Sequence, residues 1–311
     1  MYKPGHMKRR AFIKKGIGAG LVTGSAVALP GMKSVFARTG HDQSYDLVAA
    51  KGGEPGIMFD KAILSLGGMK KFVKQNQTVV VKPNIGWDAT PERGANTNPE
   101  LIARIVEHCL AAGARSVYVF DHTINEWTRT YKSSGIEKAA KDAGAKIATG
   151  NSESQYHEVT VSGGKVLKKV KVHELVLESD VFINVPVLKN HGGSTLTMAL
   201  KNLMGIVWDR KFWHDNDLHQ CIADLPTEIK PDLNVMDAYR VMKRNGPRGV
   251  SVSDVVLMKS LIVSQDIVAT DAASAKLFGK EPNQIRHIRI ADELGVGTAN
   301  LSSLNINRII V

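Results

Sequence analysis

The run Thr78-Val79-Val80-Val81-Lys82 is the feature that most limits what this chain can become. Four consecutive β-branched residues with no polar alternation suit a strand buried on both faces, a condition met in parallel sheets covered by helices. Pro83 stops the strand, because it removes a donor and holds Lys82 extended. Asn98-Pro99 reads as a helix cap with proline at the first helical position. Leu101, Ile102, Ile105, Val106, Cys109 and Leu110 then form one apolar helical face that ends at Gly113. Ser116 to Asp121 is the next predicted strand, so residues 78–121 make a βαβ unit.

The same alternation continues down the chain. The pattern predicts a helix near Ile136 to Ala143, a strand near Lys146 to Thr149 and a central strand over Asp180 to Pro186. Residues 156–178 alternate around Gly163-Gly164, which predicts an antiparallel hairpin inserted at the sheet edge. Thr195 to Met204 carries the stripe Leu196, Ala199, Leu200, Leu203 and is predicted helical. Further elements are a helix over Leu218 to Leu225, strands at Leu233 to Met236 and Ser260 to Val263, and helices near 271–278 and 283–294. No linker or low-complexity tract divides residues 38–311. The expected fold is a single α/β domain, a mostly parallel sheet flanked by helices with an inserted antiparallel hairpin.

Net charge is +11, which would suggest a nucleic-acid partner if it were spread over the fold. It is not. Seven of the 41 Lys and Arg lie in residues 1–37, which hold no acid, leaving 34 against 30 Asp and Glu. The body is nearly neutral, and no nucleic-acid partner is expected. The basic start, Lys8-Arg9-Arg10-Ala11-Phe12-Ile13-Lys14-Lys15, precedes a weakly apolar run from Gly16 to Pro30 that contains four glycines. That run is too short for a bilayer span of roughly 20 residues. It reads as a cleavable signal over residues 1–37 with processing after Ala37. The paired arginines followed by x-Phe-Ile-Lys resemble a twin-arginine export signal, which implies the twin-arginine translocase as a partner and a periplasmic destination.

Only Cys109 and Cys221 are present, too few to ligate a four-cysteine iron–sulfur cluster, and no such cluster is expected. They read as two buried free thiols, although an oxidising compartment allows a disulfide.

Ligands of open α/β sheets bind beyond the carboxyl ends of the strands. The predicted strands deliver Lys82 and Asn84, Asp121 and His122, then Lys189-Asn190-His191-Gly192-Gly193-Ser194-Thr195, and finally Asp237. A Gly-Gly turn leading into a capped helix would offer free amides to an anion. Lys82, Asn84, Lys189, Gly192, Gly193, Ser194, Lys201 and Asn202 are therefore the candidate binding residues for a small anionic molecule. His191 is the candidate general acid/base, with Asp237 orienting it or acting as a second base. His214 and His219 flank a loop with Asp215 and Asp217. Together with His191 they are the candidate ligands of a divalent metal, the one cofactor these residues suggest. All four tryptophans, Trp87, Trp127, Trp208 and Trp213, fall after element ends, where aromatic residues wall a pocket or form small satellite cores.

The segments VVVKPNIG, NPELIARIVEHCLAAGARSVYVFD, DVFINVPVLKNHGGSTLTMALKNLMG, HQCIADL and DIVATDAASAKLFG resemble the domain of unknown function 362 family over roughly residues 45–297. The resemblance implies a bacterial or archaeal α/β protein, in a family whose members are sometimes exported and sometimes joined to ferredoxin-type cluster domains. This chain lacks the cysteines for such clusters. Two expectations follow: an exported, metal-assisted enzyme acting on a small anion, or a non-catalytic periplasmic binding or assembly factor for a redox partner protein. No G-x-S-x-G, H-E-x-x-H or Walker motif chooses a reaction.

Overall fold

A computed structural model describes residues 45–311, so the expected signal over residues 1–37 lies outside the described residues. The chain begins with β1 (Leu47–Lys51), α1 (Pro55–Ser65), β2 (Thr78–Pro83), α2 (Pro99–Ala111) and β3 (Ser116–Val119). Helices α3 (Trp127–Ser133) and α4 (Ile136–Asp142) lead to β4 (Lys146–Ile147). Next come β5 (Tyr156–Thr160), β6 (Lys169–His173), α5 (Glu174–Glu178), β7 (Val181–Val185), β8 (Val187–His191), β9 (Thr195–Thr197) and α6 (Ala199–Asn202). The rest is α7 (Lys211–Asp215), α8 (Leu218–Asp224), β10 (Leu233–Met242), β11 (Val255–Ser264), α9 (Ile267–Phe278), α10 (Arg286–Glu293) and β12 (Ile306–Ile310).

Ten of these strands form one sheet in the order β12-β1-β11-β10-β7-β2-β3-β4, with β8 attached to β10 and β9 to β8. The stretch β10-β7-β2-β3-β4 is parallel, whereas β11 runs antiparallel to both of its neighbours. The sheet is α/β and mixed, mostly parallel and flanked by helices. The β-branched run explains the parallel part: Val79 and Val81 enter the core on one face, and Val80 enters the core on the other. Asn98 caps α2 by accepting from Glu100 N at 2.9 Å. Gly113, at φ 103°, closes that helix, with Ala114 N donating to Cys109 O. Cys109 and Cys221 are buried free thiols.

From β2 the chain winds outward through β3 and β4, then returns to place β7 on the other side of β2. That reversal is the switch point where a doubly wound sheet opens a crevice. Register puts Lys82 opposite Asn184, Asn184 opposite Asn234, and Asn234 opposite Ser264. A polar row thus crosses four strands where the apolar row of Val80 and Phe182 ends.

Two expectations need correction. The hairpin β5–β6 is a separate two-stranded sheet and not an addition to the main sheet's edge. Residues 195–204 are not one helix: Thr195–Thr197 pairs antiparallel with β8, and only Ala199–Asn202 is α-helical. Leu196, Ala199, Leu200 and Leu203 are all fully buried, because residues 196–204 all lie inside the fold. A stripe read from burial on one side does not distinguish helix from strand when every side is buried. The strands at 233–236 and 260–263 also extend farther, to Met242 and back to Val255.

Candidate functional site

The loops after β2 and β3 meet β8, α6 and the segment after α6 around a cleft of about 350 Å³. Its floor starts at the end of β2. Lys82 is buried and sits 2.9 Å from Asp121 Oδ1. Its ammonium also donates to Pro83 O at 2.7 Å and Asn202 Oδ1 at 2.9 Å. The second Asp121 oxygen accepts from Ile85 N at 2.7 Å, which ties the β2 loop to the end of β3. Burial lowers the Lys82 pKa, and the Asp121 charge opposes that shift.

Asn202, on α6, is the hub above this pair. Its oxygen also accepts from Asn84 Nδ2 at 3.0 Å, and its amide donates to Asn184 Oδ1 at 2.8 Å. Asn184 in turn donates to Asn234 Oδ1 at 3.0 Å. Gly205 follows α6 and lets the chain lie against the ion pair. A Cβ there would stand 1.9 Å from Asp121 Oδ1 and 2.6 Å from Lys82 Nζ.

Two further lysines line the cleft without a carboxylate. Lys189, on β8, donates to Ala95 O at 2.5 Å and Asn84 Oδ1 at 3.2 Å. Lys201, on α6, is 8% exposed and has a contact with the Met204 thioether at 3.1 Å. Among the described residues, neither ammonium has a carboxylate within ion-pair distance. Burial, with the neighbouring Lys201 charge, takes Lys189 down to about 7. Burial, with the Arg210 charge, takes Lys201 down to about 8. Arg210 sits beside them and donates to His122 O at 2.8 Å and Thr123 O at 2.9 Å.

The histidines of the cleft differ in which nitrogen carries hydrogen. His191 Nδ1 accepts from Gly193 N at 3.0 Å and Ser194 N at 3.2 Å, so in the neutral ring Nε2 holds the proton. Burial and the Lys201 and Lys189 charges hold its pKa near 3, so the ring is neutral. His122 Nδ1 donates to Val207 O at 3.0 Å, which leaves Nε2 as an acceptor. Trp208 stacks on that ring with centroids 5.1 Å apart. One imidazole therefore offers a donor and the other an acceptor.

Lys82, Asn84, Lys189, Lys201, Asn202, His191 and His214 come together along the cleft. Gly192, Gly193 and Ser194 do not line it. They form the β8–β9 turn, the strand β9 and not a helix follows them directly, and the amides of Gly193 and Ser194 are engaged by His191. Asp237 is also away from it. Its carboxylate accepts from Asn98 N at 2.7 Å and Tyr239 N at 2.9 Å, so it anchors the α2 cap and does not orient His191.

His219 turns to His287, with Nδ1 atoms 3.1 Å apart. His191, His214 and His219 are therefore not gathered as metal ligands. Among the described residues, no group of three or more His, Cys, Asp or Glu side chains is placed to hold a metal ion. The Nδ1 lone pair of His191 is already occupied, which also disfavours that donor set.

Arg210, Gly205, Asn184 and Asn234 were missed. Arg210 stands immediately before α7, and the register of β7 against β2 is what reveals Asn184. Of the tryptophans, Trp87 lines the cleft and Trp208 backs His122, whereas Trp213 is wholly buried.

The family model described as a domain of unknown function (DUF362) matches residues 79–276. A thylakoid-associated protein of Synechocystis sp. is 26% identical over 247 residues, 74% of this chain and 72% of that protein. Among solved structures, the lactate racemase apoprotein from Thermoanaerobacterium thermosaccharolyticum is similar at a TM-score of 0.48 and 11% identity, over 80% of this chain. A Thermotoga maritima protein is similar at 0.48 and 14%, over 73% of this chain. The chain spans 60% of the length of each of those two structures. Among the described residues, no helix is long and apolar enough to cross a membrane.

Proposed function

The chain belongs to the domain of unknown function 362 family, and on that premise we propose that its cleft binds a small anion bearing a phosphate or carboxylate. Lys201 carries this reading. It is a buried ammonium in contact with a thioether, beside Lys189 and Arg210, which also lack carboxylate partners among the described residues. Placing a cation in a protein interior without a counter-charge costs several kcal/mol, and an anion in the cleft offsets that cost. Asn84, Lys189, Lys201 and Arg210 would contact the anion, with Lys82 and Asn202 holding them in place. The His191 Nε2–H and the His122 Nε2 lone pair provide a donor and an acceptor for acid–base work on the bound molecule.

The test is thermal stabilisation by sulfate, phosphate and acetate at constant ionic strength. Stabilisation of the wild type and none of Lys201→Met supports the reading; equal response in both proteins counts against it.

The proposal includes export. The Arg9-Arg10 segment would direct the folded chain through the twin-arginine translocase, leaving a mature protein that starts at Arg38. N-terminal sequencing from the native periplasm checks this, and a mature chain that retains Arg9-Arg10 contradicts it.

A further inference from the structure

We propose that Lys189 is an amine nucleophile that captures the carbonyl carbon of a small 2-oxo acid as an imine, while Lys201 and Arg210 hold the carboxylate of the same molecule. The inference rests on the anion reading of the cleft and narrows it to a substrate class.

The geometry at Lys189 is the starting point. Its nitrogen has two acceptors, Ala95 O and Asn84 Oδ1, and both are uncharged. A neutral amine has two N–H bonds, so these contacts use both and leave the lone pair for the cleft that Lys189 lines. Asn84 is itself held by Asn202, so the amine is fixed on both sides. Lys82 makes the contrast. It faces Asp121 at 2.9 Å, and that ion pair favours the ammonium form, which cannot attack a carbonyl.

The neighbours supply the other half of the recognition. A lysine desolvated beside another cation is the arrangement that frees an amine for imine chemistry. Lys201 is such a cation, and burial together with its charge brings Lys189 to about 7, so free base is abundant near neutrality. A carboxylate held by Lys201 and Arg210 places the adjacent carbonyl of a 2-oxo acid near the amine. The cleft, about 350 Å³, suits a molecule of that size.

The step balances without an oxidant or reductant. The Nζ lone pair bonds to the carbonyl carbon as the C–O π pair moves to oxygen. One amine proton then passes to that oxygen, giving a carbinolamine. A second proton, supplied by the Lys201 ammonium and replaced from solvent, lets the hydroxyl leave as water. The remaining nitrogen pair forms the C=N bond, and the nitrogen stays protonated as an iminium.

The experiment is reductive trapping on the wild-type protein. The chain is incubated with glyoxylate or pyruvate and sodium cyanoborohydride, with acetone as the uncharged control, and peptides are mapped by mass. We expect labelling of Lys189 at least about tenfold faster than of exposed Lys138, suppressed by sulfate, and little labelling by acetone. Labelling no faster at Lys189 than at Lys138, with sulfate still stabilising the protein, overturns the imine inference and leaves the anion reading standing. If sulfate fails to stabilise the protein as well, the anion reading falls and takes this inference with it. The mapping needs no variant, so a fold defect in Lys189→Arg does not affect the outcome.

Discussion

Lys82 Nζ stands 2.9 Å from Asp121 Oδ1, both side chains are buried, and Asp121 is the one carboxylate among the described residues that line the cleft. This pairing commits the available negative charge to one of the cations. Lys189, Lys201 and Arg210 share the remaining space without a counter-charge among the described residues, which is a costly arrangement in a protein interior. The cost is lifted when an anion enters.

Replacing Lys201 by Met removes the ammonium and keeps most of its volume. Stability of the ligand-free protein is expected to rise by about 1–3 kcal/mol, because an uncompensated buried charge is gone. Sulfate stabilisation is expected to disappear. Urea denaturation with and without sulfate reads both, and a variant that is less stable yet still stabilised by sulfate would refute the assignment.

Gly205→Ala should damage the site from behind. The added methyl would meet Asp121 Oδ1 at 1.9 Å and Lys82 Nζ at 2.6 Å, so the ion pair or the chain must move. A loss of about 1–3 kcal/mol is expected from the crowding, together with weaker sulfate binding. A stable variant that binds sulfate like the wild type would show that the Lys82–Asp121 contact does not shape the cleft.

Proton linkage gives a third expectation. Lys189 and Lys201 fall to about 7 and about 8 in the folded chain, below their ordinary lysine value near 10.4. Between about pH 7 and pH 10 the unfolded state therefore binds more protons, and ligand-free stability should rise with pH through that window. Sulfate remains doubly charged throughout and favours the ammonium forms, so its affinity should fall as pH climbs through about 7 to 8. Calorimetric titrations on either side of that range check this, and a flat affinity would contradict it.

Asp237→Asn separates support from chemistry. The carboxylate holds Asn98 N and Tyr239 N, and its own pKa is pushed up to about 6, chiefly by burial. Weakening those bonds should cost about 1–2 kcal/mol of stability while sulfate affinity changes by less than about twofold. A large loss of affinity with stability intact would return Asp237 to the site.

The parts legible in the sequence were those with a local cause. The β-branched run of β2, the Asn98-Pro99 cap and Gly113 together marked the βαβ unit, because each sets backbone conformation within a few residues. Lys82 is legible for the same reason, standing one residue before the proline that ends β2; Lys189 and Lys201 lie inside β8 and α6, whose bounds the sequence does not give. Pairing was not legible. The register that sets Asn184 opposite Lys82 depends on β7 crossing to the far side of β2, and nothing near residue 184 encodes that. The Gly192-Gly193-Ser194 turn misled for a related reason. A Gly-Gly turn can lead into either a helix or a hairpin, and here His191 pairs antiparallel with Thr195 across the turn.

The most direct measurement is isothermal titration of sulfate into the wild type and Lys201→Met at about pH 6.5 and constant ionic strength. The account predicts saturable binding at one site in the wild type and none in the variant. Equal binding in the two proteins, or no binding in the wild type, would contradict it.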